Sequence, residues 1–154
     1  MAKPDLGMCT VDIQYASDAI AAKLRSVASK ALMTRWVHGA IEHTGNITLR
    51  FVNRAEGQSL NEQFRGKDYA TNVLTFPYRL SKKEVIADIV ICLPVISKEA
   101  REQGKSLQAH LAHLIVHGCL HASGHDHEHD REAKVMELRE VAILKNLGFS
   151  NPYI

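Results

Sequence analysis

The sequence predicts an α+β domain: a four-stranded mixed sheet packed by about five helices, with a metal site at the end of a helix in the C-terminal half. Three observations predict it. Strand-like segments cluster early and long helical segments late. One helix-rich stretch separates the first two strands. One segment, Val85 to Leu93, is apolar almost throughout and reads as a central strand interrupted by Asp88. With 154 residues, 45% hydrophobic and 23% charged, and with no repeat or low-complexity linker, the chain fits a single domain over 1–154 with a substantial core.

Each element has a local reason. Thr10 to Tyr15 alternates Val11, Ile13 and Tyr15 with polar neighbours, as a half-buried strand does. Ser17 to His43 is helix-rich; its second half carries Leu32, Trp36, Val37, Ala40 and Ile41 at helical spacing before Gly45. Asn46 to Val52 is the second strand. Ser59 to Phe64 reads as a short helix with Leu60 and Phe64 on one side, followed by a turn at Gly66, Lys67 and Asp68. Asn72 to Phe76 is the third strand, ending at Pro77. After the central strand, Ser97 caps a helix running to Gln103, which Gly104 breaks. Ser106 to His121 is the strongest helix, anchored by Leu107, Leu111, Leu114, Ile115 and Leu120 and stopped by Gly124. Asp130 to Asn146 is the last, carrying Val135, Leu138, Val141, Ala142 and Leu144.

Composition narrows the function. A formal net charge of +2 is modest for a nucleic-acid binder, so any RNA contact rests on local basic patches. Cys9, Cys92 and Cys119 are scattered, with no CxxC pair, and read as reduced thiols. The first residues hold no apolar run of signal-peptide length, and no stretch approaches a membrane span, so a cytoplasmic protein is expected.

The chemistry concentrates in the histidines. His117 and His121 lie four apart near the end of the strongest helix, so both imidazoles share one face and can reach one ion. Gly124 then lets the chain turn back and bring a third imidazole from the loop. His127 gives the pattern H-x3-H-x5-H, while His125 and His129 lie close by. Three histidine ligands and one open position are how catalytic zinc is held. Asp126 suits an acceptor behind a ligand better than a ligand, and His129 suits a cap for the following helix. Cys119 points away across the helix and reads as a buried apolar residue. A zinc peptidase of the H-E-x-x-H kind has Glu beside its first His; here that position is Gly118.

The stretch His117-Gly-Cys-Leu-His121-Ala-Ser-Gly-His125-Asp126-His127 resembles the HGxLHxxGxDH signature of the YbeY-type rRNA maturation factors, bacterial endoribonucleases directed at single strands. Asn61 to Asp68 followed by Thr71 to Pro77, Ala87 to Cys92, and Glu132 to Glu137 are similar to further blocks of that family, in the same order. Ala87, Asn72 and His125 stand where the family more often has Gly, Asp and a large residue. The resemblance implies one zinc per chain on His117, His121 and His127, with Arg65 as an essential basic residue facing the metal. It also implies cleavage of ribosomal RNA in small-subunit 3′-end processing and ribosome quality control. The expected partners are single-stranded rRNA and the small ribosomal subunit or its proteins, with no membrane.

Arg65 can hold a phosphate through its two-pronged guanidinium. Lys67, Arg79, Lys82, Lys83, Lys98, Arg101 and Lys105 are candidates to follow the RNA backbone. His113, one turn before His117, either orients substrate or is structural. Met136 reads as core, and Asp88 must be paired or line a cleft. Two other readings stand beside the nuclease: a non-catalytic ribosome-assembly factor with a structural zinc, and a zinc hydrolase of peptides or small molecules.

Overall fold

In a computed structural model, the described residues are 8–125 and 129–154. Four strands form one mixed sheet: β1 (Thr10–Tyr15), β2 (Thr44–Val52), β3 (Val73–Leu80) and β4 (Glu84–Cys92), in the order β1-β2-β4-β3. β1 and β4 run parallel to β2, whereas β3 pairs antiparallel with β4. The strand read as central is therefore internal, and its odd-numbered side chains, Val85, Ala87, Ile89 and Ile91, are all buried.

Among the described residues, six helices accompany the sheet: α1 (Asp18–Arg25), α2 (Lys30–Ala40), α3 (Arg54–Arg65), α4 (Leu93–Gln103), α5 (Leu107–Ala122) and α6 (Asp130–Asn146). The helix-rich stretch after β1 is two helices, because Ser29 caps a new one by accepting from Leu32 N–H. α3 starts five residues before the expected Ser59, capped by Asn53, whose side chain accepts from Glu56 N–H. α4 also starts early, at Leu93 with Pro94 in its first turn, so Ser97 lies inside the helix and is not its cap.

β3 continues through Pro77 to Leu80, beyond the expected stop. It is an edge strand, and its register shifts between Pro77 and Arg79, the kind of position at which a sheet tolerates proline.

The two sheet faces carry separate apolar clusters. Ile47, Leu49, Phe51, Ile89 and Ile91 pack with α2, α5 and α6 in the main core. Val52, Leu74, Val90 and Cys92 form a smaller cluster on the other face, joined by Leu60 of α3 and by Phe76. α5 is buried nearly all round, as a central helix is. α6 buries Met136, Glu140, Ile143 and Leu144, which leaves the expected core residues Val135 and Leu138 exposed. No described helix is long and apolar enough to cross a membrane.

Candidate metal centre

Four histidines of α5, His110, His113, His117 and His121, follow one another at spacings of three, four and four, so they line one face of the helix. The helix begins at a Ser106 cap, whose hydroxyl accepts from Ala109 N–H at 3.1 Å. It ends in a Schellman turn. Gly124 takes φ 96°. His125 N–H reaches Leu120 C=O at 2.9 Å, and Gly124 N–H reaches His121 C=O at 3.0 Å. This turn fixes where the chain leaves α5. Asp126 and His127, the expected acceptor and third ligand, lie outside the described residues.

The histidine face looks onto Glu140, a fully buried carboxylate of α6. Its Oε1 lies 2.5 Å from His117 Nδ1 and its Oε2 lies 2.9 Å from His113 Nε2. Oε2 also accepts a short hydrogen bond from the Tyr153 hydroxyl near the C-terminus. Burial alone pushes the Glu140 carboxyl up. Hydrogen bonds from His113, His117 and Tyr153 outweigh it and hold the pKa at about 2. Burial first, then the bond to Glu140, push the Tyr153 phenol up, so the proton stays on Tyr153.

The other edge of His117 faces His121, with the two Nε2 atoms 3.1 Å apart. His113, His117 and Glu140 bring potential ligand atoms within 4.8 Å of one another, a group that could hold a metal ion. Separation distinguishes the two arrangements. Tetrahedral zinc with bonds of about 2.0–2.1 Å keeps neighbouring ligand atoms about 3.3 Å apart. The 3.1 Å between the two Nε2 atoms is close to that value. The 2.5 Å from His117 Nδ1 to Glu140 is too short for a shared ion and fits a charge-assisted hydrogen bond.

Further along the row, His110 Nε2 meets Glu99 Oε1 at 3.0 Å, and burial holds the His110 pKa down against the pull of that carboxylate. Asn72 donates to both oxygens of Glu99. These residues, with His113, His117, Lys105 and Tyr153, line a cleft of about 370 Å³ beside His117.

The remaining candidates fall into place. Arg65 is the last residue of α3, exposed, with no ion pair to another described residue. α3 packs on the opposite sheet face from α5, and both helix ends flank β3. Phe64 sits edge-on against Phe76, while Gly124 lies against Leu80. Among the basic candidates, Arg79 pairs with Glu84 at 2.8 Å, Lys98 with Glu102 at 3.8 Å, and Lys105 donates to Pro152 C=O at 2.5 Å. Lys67, Lys82, Lys83 and Arg101 are exposed. His129 is the exposed cap residue of α6, though its side chain makes no cap bond. Cys119 and Met136 are core, and Asp88 is paired, accepting from the Tyr78 hydroxyl at 2.9 Å.

Reading the sequence missed Glu140, Tyr153, His110 and Glu99. For Glu140 a signal existed. It occupies a helical-period stripe with Met136, Ile143 and Leu144, and a carboxylate in a buried stripe requires partners.

The family model for endoribonuclease YbeY matches residues 11–148. An endoribonuclease YbeY of Polynucleobacter asymbioticus is 62% identical over 144 residues, covering 94% of this chain and 93% of that protein. The endoribonuclease YbeY of Albidiferax ferrireducens is 49% identical over 148 residues, covering 96% and 99%. Among solved structures, the solution structure of TM1509 from Thermotoga maritima superposes with a TM-score of 0.60 at 26% identity, covering 90% of this chain and 89% of that one. The family model spans most of the chain and relatives are alike over nearly their whole length: the chain belongs to the YbeY endoribonuclease family.

Proposed function

We propose that this protein is a zinc-dependent endoribonuclease of the cytoplasm that cuts single-stranded ribosomal RNA, in 3′-end maturation of small-subunit rRNA and in ribosome quality control. The metal ligands are His117, His121 and His127, and Arg65 is the catalytic cation. One observation carries the reading: His117 and His121 present their Nε2 atoms to each other at 3.1 Å while the Nδ1 of His117 is engaged by a buried carboxylate, in a chain of this family. When bound, zinc supplies positive charge against the phosphoryl oxygens and makes nearby water more acidic.

The chain's own residues supply the rest. Arg65 carries a guanidinium with no ion pair to another described residue, so it is available to grip a phosphate in two-pronged fashion and to offset charge that grows in the transition state. The histidine end of α5 and the end of α3 flank the same edge strand, and an RNA strand crossing β3 would meet both. Exposed Lys67, just after α3, and Lys82 and Lys83, just after β3, add salt-sensitive affinity for the backbone. The small ribosomal subunit, with its proteins, is the partner that presents such a strand.

The test is cleavage of single-stranded rRNA fragments by zinc-loaded protein. Arg65→Ala is expected to keep close to one zinc per chain and to lose cleavage by about 100-fold or more. His121→Ala is expected to lose both. An Arg65→Ala protein that cleaves like wild type would remove Arg65 from the chemistry. Wild-type protein that holds zinc, leaves RNA whole and unfolds on chelation would instead support a structural zinc in an assembly factor.

A further inference from the structure

The strongest unassigned feature is the environment of Glu140. Its carboxylate is fully buried and accepts from three side chains that come from two separate parts of the chain, α5 and the C-terminal tail. A buried carboxylate with three donors is an acceptor only. The ring nitrogens facing it must therefore carry hydrogen: Nδ1 in His117 and Nε2 in His113. A neutral imidazole has one N–H and one lone pair, so the lone pair of His117 is left on Nε2, the atom that faces His121 Nε2.

We infer that Glu140, held in place by the Tyr153 hydroxyl and by His113, is a positioning residue that sets the tautomer and ring orientation of His117, so that its Nε2 lone pair points at the metal. This rests on the functional reading above. His113 is not a ligand in this arrangement. Its Nε2 is committed to Glu140, and its Nδ1 is buried without a hydrogen-bond partner among the described residues. Tyr153 acts one step further out. It completes the set of hydrogen bonds on Oε2 and ties the C-terminal tail to the histidine row.

The substitution that isolates this role is Glu140→Gln. The amide keeps the shape of the carboxylate, but one of its ends becomes a donor and must face an N–H or O–H that already donates. His117 then loses its reason to keep hydrogen on Nδ1. Two measurements on full-length protein report the consequence. Long-range proton–nitrogen spectra of the metal-free protein give the His117 tautomer directly. Competition for Zn²⁺ against a chromophoric chelator gives affinity without reference to activity.

Wild type is expected to show the Nδ1–H form at His117. Glu140→Gln is expected to lose it and to bind zinc roughly 10–100-fold more weakly. Tyr153→Phe, which leaves the carboxylate in place, is expected to fall between the two. A purely structural Glu140 would lower the melting temperature and leave the zinc affinity of the folded protein unchanged; that result overturns the inference. So does an Nε2–H tautomer at His117 in wild type. If Glu140→Gln does not fold, Tyr153→Phe decides, and wild-type zinc affinity in that variant overturns the proposal. Wild-type protein that binds no zinc overturns the functional reading itself, whereas tight wild-type binding matched by Glu140→Gln overturns only the role given to Glu140.

Discussion

At position 118 the histidine-bearing helix α5 lies hard against the sheet. A Cβ added there would sit 2.8 Å from Ile89 Cγ2, and Ile89 is a fully buried, β-branched side chain of the internal strand β4. Such a side chain has little rotamer freedom with which to yield. Alanine would gain about 1 kcal/mol of helix propensity over glycine, against an overpacking cost of about 1–3 kcal/mol. Gly118→Ala is therefore expected to lower stability by a net ~1 kcal/mol, read from the midpoint of urea unfolding. A midpoint at or above that of wild type would show that Ile89 makes room easily. The same geometry bears on chemistry. A zinc peptidase carries its glutamate base beside the first histidine. Here a glutamate side chain at 118 would run into β4, not into the cleft beside His117.

Among the elements, α5 carries most of the consequences. Its first turn is capped by Ser106, its last by the Schellman turn at Gly124, and between them lie the histidine row and some of the most deeply buried residues of the core. Losing the Ser106 hydroxyl leaves the Ala109 N–H without its partner. Ser106→Ala is expected to cost about 1 kcal/mol in chemical denaturation, with zinc affinity unchanged because His117 and His121 sit at the other end. A fall in zinc affinity would mean that fraying at the N-terminus reaches the site. β3 is the other informative element. Proline reads as a strand terminator, yet β3 passes through Pro77 because it has a partner on one side only. Being an edge is a property of the sheet, and no local window of sequence contains it.

For the molecule as a whole, the core is expected to form without a metal. The main cluster spans all four strands and α1, α2, α4, α5 and α6, and His113, His117 and His121 lie at its margin with partial exposure. Zinc should therefore act as a ligand of the folded state. At a free concentration one hundred times its Kd it adds about 2.7 kcal/mol, which raises the melting temperature by roughly 5–10 °C for a domain of this size. Chelation is expected to bring the melting temperature back to the metal-free value while far-ultraviolet circular dichroism at 25 °C still reports a folded protein. Collapse of that signal on chelation would contradict a catalytic, non-structural zinc.

Much of this was legible in the residues themselves. The spans of β1 and α6, the Gly124 stop of α5 and the shared face of His117 and His121 follow from period, breakers and spacing, which are local quantities. The pairing of His117 with Glu140 is different. The two residues are 23 apart on separate helices, and only the packing of α6 against α5 brings a carboxylate into an apolar stripe beside an imidazole. Tyr153 joins them because the tail after α6 folds back over the same face. Ligand spacing can be read along one helix because the helix is a local, repeating structure. The direction in which a ligand's lone pair points depends on a hydrogen bond to a second element, and that is decided by tertiary packing.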